Sequence, residues 1–160
     1  MMKDYALQTV DQLIADDAIV ARALTILGQR LRLPGAWMNS PITVKSFLSL
    51  KLGALEREVF VALWLDVKNR VIGYEELFDG TLAMATVYPR EVVKAGLALN
   101  AAACVVAHNH PSGDTTPSNA DHAATTTLKS ALALVDIKLL DHIIVAGTQA
   151  ISFVEEGYLY

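Results

Sequence analysis

The chain has 160 residues, 53% of them hydrophobic and 19% charged, which suits one domain with a substantial core and excludes a disordered polymer. A net charge of −4 excludes the strongly basic footprint of a general nucleic-acid binder, although a local basic patch is still compatible with it. The single cysteine, Cys104, excludes an intramolecular disulfide and zinc fingers of the Cys₄ or Cys₂His₂ kind, and it fits a reducing cytosol.

Residues 5–31 read as a helix, with Leu7, Val10, Leu13, Ile14, Ala21, Leu24, Ile26, Leu27 and Leu31 approximating one face. "LPGAW" at 33–37 stops it. A second helix follows, with Ser40 as cap, Pro41 in the first position and Gly53 at the end. "EVFVALWLD", 58–66, is an internal strand, and "VIGYEELFDG", 71–80, is its antiparallel partner. "TLAMATVY", 81–88, can continue as a third strand. Residues 89–100 form a helix opened by Pro89, and the fully apolar "AAACVVAH", 101–108, is a central strand. A helix over 118–135 and strands over 138–147 and 150–157 complete the chain.

This order predicts a mixed sheet packed between helices, an α/β or α+β sandwich. Residues 1–40 form an N-terminal helical extension on a domain over 41–160. The apolar first helix offers a surface for a homodimer or another partner. The N-terminus lacks the charge and apolar pattern of a signal peptide, and the longest apolar runs, of seven residues, fall far short of the roughly 20 needed to span a bilayer. A cytoplasmic protein with no membrane association is the expectation.

The chemistry concentrates in "AHNHPSGDTTPSNAD", 107–121. His108 and His110 are two residues apart at a strand end, so both imidazoles can face one side. The loop from Pro111 to Pro117 reverses the chain, and Asp121 in the first turn of the next helix can return to the same point. Two imidazoles and a carboxylate suit Zn²⁺, and three protein ligands leave a fourth position for water. Such a water becomes acidic near neutral pH. Ser118-x-x-Asp121 is also a capping-box pattern, and the cap and ligand roles are compatible.

"HNHPSGDTTPSNAD" resembles, without deviation, the His-x-His-x7-Ser-x2-Asp motif of JAMM (JAB/MPN+) metalloproteases. "REVFVALWLDVKNRVI", "YPREVVKAGLALNAAACVVAHNHPSGD" and "LLDHIIVAG" are similar to the RadC-like branch of that superfamily, so the resemblance covers about residues 40–157. It implies a JAB/MPN fold related to cytidine deaminases, and one catalytic Zn²⁺ held by His108, His110 and Asp121. It further implies a glutamate on an upstream strand that takes a proton from water and passes it to the leaving amine. Glu56, Glu58, Glu75 and Glu76 are the acids to consider. The resemblance favours Glu58, with Glu56 next, and it makes Ser118 the oxyanion partner.

A zinc-dependent hydrolase of peptide or isopeptide bonds is therefore expected, acting on a peptide or protein conjugate. The alternative is a non-catalytic module in DNA repair or mobile-element function. Longer relatives of this branch carry a helix-hairpin-helix segment, for which the residues before 40 leave no room. Nucleic acid is thus not an expected partner. His-x-Glu with Pro-Cys-x-x-Cys, as in zinc deaminases, and His-Glu-x-x-His do not occur. Cys104 has the strand parity of His108 but lies roughly 13 Å away along the strand, so it reads as a core residue. His122 is expected exposed, Asn109 pointing away from the metal and bracing the loop, and Asp141-His142 as a polar pair opening a strand, with orientation of a metal ligand as the other reading of that pair.

Overall fold

The computed structural model describes residues 9–33, 41–80 and 87–160. Its elements are helices α1 (Val10–Leu31), α2 (Pro41–Leu52), α3 (Pro89–Ala98) and α4 (Asn119–Ala133), and strands β1 (Glu58–Leu65), β2 (Val71–Gly80), β3 (Ala103–Asn109), β4 (Lys138–Ala146) and β5 (Gln149–Ser152). The strands form one sheet in the order β2-β1-β3-β4-β5. Only the β3–β4 pair is parallel, joined through α4, and the other three pairs are antiparallel.

Both faces of the sheet are covered, which is why residues 59–65 of β1 and 103–107 of β3 are continuously apolar rather than alternating. One face carries Val59, Val61, Leu63, Val105 and Ala107 and packs against Leu31 of α1 and Val44, Phe47, Leu48 and Leu52 of α2. The other carries Phe60, Trp64, Cys104 and Val106 and packs against Val92 of α3 and Leu128 and Leu132 of α4. Burial pushes the Cys104 thiol up to about 12, so it is un-ionised at neutral pH and serves as a small core residue. The mixed α+β sandwich expected from the sequence is the fold.

Several boundaries shift. The first helix begins at Val10, where Thr9 caps it by accepting from Gln12 N–H. The proposed strand over 81–88 and the Ser40 cap fall largely on residues outside the described ones. The last strand stops at Ser152 instead of running to 157. There the chain folds back: the Phe153 carbonyl accepts from Tyr158 N–H, and Asp141 accepts from Val154 N–H. In α1, Leu24, Leu27 and Leu31 face the core, whereas Val10, Leu13, Ile14 and Ile19 are exposed. Among the described residues, no helix is long and apolar enough to cross a membrane.

The second helix does end just before Gly53, for a different reason from the one expected. Gly53 needs no left-handed backbone; it sits where a Cβ would come within 2.1 Å of the Gly147 carbonyl oxygen and 2.6 Å of that of Ser49. Both obstacles are backbone, so the α2 terminus and the β4–β5 turn would have to separate. Gly53→Ala is expected to destabilise by about 1–3 kcal/mol, read as a lower urea midpoint at unchanged slope.

A register break in β4 has more bearing on function. Cys104 pairs with Leu139 and Val105 with Asp141, so Leu140 is an extra residue. A bulge of this kind exchanges the faces of everything beyond it. His142 thereby joins the face of Cys104, Val106 and His108, and Asp141 turns away from it.

Candidate metal centre

His108 is the last inward residue of β3, and His110 follows just beyond the strand. Its backbone N–H still donates to the Val145 carbonyl at 2.8 Å, extending the ladder with β4 and preserving the two-residue parity. Gly113, at φ 83°, turns the loop, and the chain re-enters at α4. Ser118 caps that helix in a reciprocal capping box with Asp121. Asp121 Oδ2 accepts from Ser118 N–H at 2.7 Å and from its hydroxyl at 2.7 Å. The cap thus holds one carboxylate oxygen and leaves Oδ1 to face His108.

The ligand atoms of His108, His110 and Asp121 lie within 4.8 Å of one another. His108 Nε2 is 2.9 Å from His110 Nε2 and 3.1 Å from Asp121 Oδ1, and His110 Nε2 is 3.6 Å from Asp121 Oδ2. Tetrahedral zinc with bonds of about 2.0–2.1 Å separates its ligand atoms by about 3.3 Å, so the spacing fits that ion. The chemistry of the donor set fits as well. His110 Nδ1–H donates to the Asp114 carbonyl at 2.7 Å; the neutral ring therefore presents a bare Nε2. Lone pairs and a carboxylate converge on a point that suits a cation.

The Asp121 carboxylate beside it raises the His110 pKa; burial opposes this, and the Asp114 carbonyl and the Glu58 charge add to it. Burial pulls the Asp121 carboxyl upward, but His108, His110 and Ser118 outweigh it and hold the group well below the usual carboxylate range. A dication bound here competes with a proton for the same lone pairs.

Glu58 opens β1 at a half-buried position. Phe60 pairs with His108, so Glu58, two residues earlier on the same face, stands across from His110. Asn109 braces that strand end and the coil before it. Its Oδ1 accepts from Val59 N–H at 2.8 Å, and its Nδ2 donates to the Arg57 and Leu55 carbonyls at 2.9 and 3.2 Å. Both peptide groups flanking Glu58 are thereby tied to the residue between the two histidines.

The other acids lie elsewhere. Glu56 is exposed in the coil before β1, on a cleft of about 580 Å³ that it shares with Leu55, His110, Pro111, Ser112 and Gly113. Glu75, on β2 opposite Ala62, accepts from Trp64 Nε1–H at 3.2 Å, and Glu76 faces the Tyr74 hydroxyl at 3.5 Å.

Two expectations are corrected. His122 is half-buried, packed on Phe153 and Tyr158 with ring centroids 5.2 and 5.0 Å away. Asp141 and His142 do not open a strand; they lie inside β4, both fully buried. His142 Nε2 is 2.8 Å from His108 Nδ1, and its Nδ1 is 2.6 Å from Thr125 Oγ1. Burial holds the His142 pKa well below the ordinary value. An Asp-His pair within an apolar strand was the available signal, since buried polar groups require partners.

Asp141 accepts from three donors: His142 N–H at 2.7 Å, Val154 N–H at 3.1 Å, and the Ser152 hydroxyl. Each stranded buried donor costs about 1–3 kcal/mol, so Asp141→Ala should lose about 3–5 kcal/mol in urea unfolding. Burial raises the Asp141 pKa. Its contribution to stability is therefore fullest below the unfolded value of about 3.9 and declines as pH rises through the folded value. The stability advantage of the native protein over Asp141→Asn should accordingly shrink as pH rises.

Comparison with known proteins agrees with this architecture. A family model described as the RadC-like JAB domain matches residues 38–158. The UPF0758 protein of Polaromonas sp. (strain JS666 / ATCC BAA-500) is 52% identical over 142 residues, covering 89% of this chain and 63% of the relative. The chain spans between 54% and 63% of the length of five such relatives. The UPF0758 protein YfjY of Escherichia coli (strain K12) is 51% identical over 140 residues, 88% of each chain. That of Vibrio cholerae serotype O1 is 51% identical over 144 residues, 90% of each. Sheet, motif and matches together make this chain a member of the RadC-like branch of the JAB/MPN superfamily.

Proposed function

We propose that the chain is a zinc-dependent hydrolase of peptide or isopeptide bonds. The observation that carries this reading is the convergence of His108, His110 and Asp121 on one point, on the sheet face that also carries Glu58. His108 and His110 would hold Zn²⁺ through Nε2 and Asp121 through its carboxylate, and the bound ion would supply Lewis acidity and an acidic water near neutral pH.

The remaining chemistry belongs to the protein. A Glu58 carboxylate oxygen takes a proton from the attacking water and returns it to the leaving nitrogen, which departs as an amine. The Ser118 hydroxyl, which donates to Asp121 Oδ2, can rotate to donate to the oxyanion that develops on the scissile carbonyl. The cleft beside His110 and Glu56 gives a chain approaching the site a place to lie.

A panel of peptide and isopeptide conjugates, incubated with zinc-loaded and with chelated protein, tests this. Cleavage confined to the zinc-loaded protein is expected. Equal cleavage in both, or none by a protein that holds one zinc, overturns the hydrolase assignment.

A further inference from the structure

A chain of short polar contacts runs behind the metal centre. It links His108 Nδ1 to His142 Nε2 at 2.8 Å, His142 Nδ1 to Thr125 Oγ1 at 2.6 Å, and Thr125 Oγ1 to the Asp121 carbonyl at 2.6 Å. Its direction is set from the far end. A carbonyl only accepts, so the Thr125 hydroxyl donates to Asp121. Its proton is then committed, and Thr125 presents a lone pair to His142. His142 Nδ1 must therefore carry a hydrogen. If the ring holds one proton, Nε2 is bare and accepts from His108 Nδ1–H. That leaves His108 Nε2 to face His110 and Asp121 as a ligand.

We propose that Thr125 and His142 are positioning residues that lock His108 in the Nδ1–H tautomer and so ready its Nε2 for the metal. This rests on the metal site proposed above. The order of donors and acceptors follows from the fixed acceptor at the far end, the Asp121 carbonyl, and from the two short contacts of the His142 ring. His142 is enclosed by Phe60 and Phe153, with ring centroids 5.7 and 4.7 Å away, and has no exposure. Phe60 also stacks on His108, at 6.1 Å and 16°, so both rings are held in plane as well as in tautomer. The relay ends on the backbone of Asp121, the residue that supplies the third ligand. It therefore couples the α4 side of the site to the β3 side through protein alone.

Nitrogen-15 spectra of the imidazoles, recorded on the full chain with and without zinc, test the relay. His142 is expected as the neutral Nδ1–H tautomer in both states. Thr125→Val removes the hydroxyl at nearly constant shape and should weaken zinc binding by about 10–100-fold, whereas Thr125→Ser should restore it. Thermal melts of both variants show whether they fold. An Nε2–H or cationic His142, or a folded Thr125→Val protein that binds zinc as tightly as the native one, overturns the proposal. Failure to bind zinc at all removes the proposed function, while the tautomer of the metal-free protein still decides the relay: Nδ1–H supports it and Nε2–H sinks it.

Discussion

Glu58→Gln is expected to slow zinc-dependent cleavage by about 10²–10⁴-fold, the usual worth of a positioned general base, without changing the zinc content. The amide keeps the shape of the side chain but cannot take a proton. Glu58 is outside the ligand set of His108, His110 and Asp121, so the metal should stay. The Asn109 bonds to Val59, Arg57 and Leu55 are made by other groups, so the strand end should stay too. A matching Glu56→Gln variant separates the two acids, because Glu56 lies in the coil before β1. Equal rates for Glu58→Gln and the native protein remove Glu58 from the mechanism, and a loss confined to Glu56→Gln transfers the role.

Zinc stoichiometry gives the second large effect. The native protein should hold about one zinc per chain, and His108→Ala with His110→Ala should hold none, since one carboxylate remains of a three-ligand set. Ligand linkage supplies a second readout. Free zinc at 100 times its dissociation constant should stabilise the native fold by about 2.7 kcal/mol and leave the double variant unmoved. Phe60 and the β4 ladder still hold the strand in that variant, so it should fold. Unchanged zinc content would discard the site. Elemental analysis and melting curves at fixed free zinc measure both effects.

Much of this was legible because the signals were local. The parity of His108 and His110, the glycine of the turn and the Ser118 cap each depend on a few neighbouring residues, and the capping box that aims Asp121 is written in four. The apolar runs of β1 and β3 announced strands covered on both sides. What escaped depended on contacts distant in sequence. Strand β5 ends early because Asp141, 13 residues before Val154, captures its N–H. Gly53 is required by the carbonyl of Gly147, a neighbour that only the folded chain supplies. The face and partners of His142 were hidden twice: strand parity cannot be carried across the Leu140 bulge, and Thr125 reaches His142 from another element. Glu58 was singled out by family resemblance, because a half-buried acid at a strand start is otherwise unremarkable.

The bulge at Leu140 also sets the charge around the proposed metal site. Were the ladder to run on from Cys104 and Leu139 without a bulge, Val105 would meet Leu140 and Asp141 would lie opposite Val106, on the face behind His108. A carboxylate would then back the ligand where a neutral imidazole now does. Two neutral imidazoles and one carboxylate leave a bound dication one positive charge, and a second aspartate so close would cancel it. With zinc bound as proposed, the irregular strand would keep the centre cationic, which would favour an attacking water that gives up its proton easily and a carbonyl substrate that gains negative charge as it reacts.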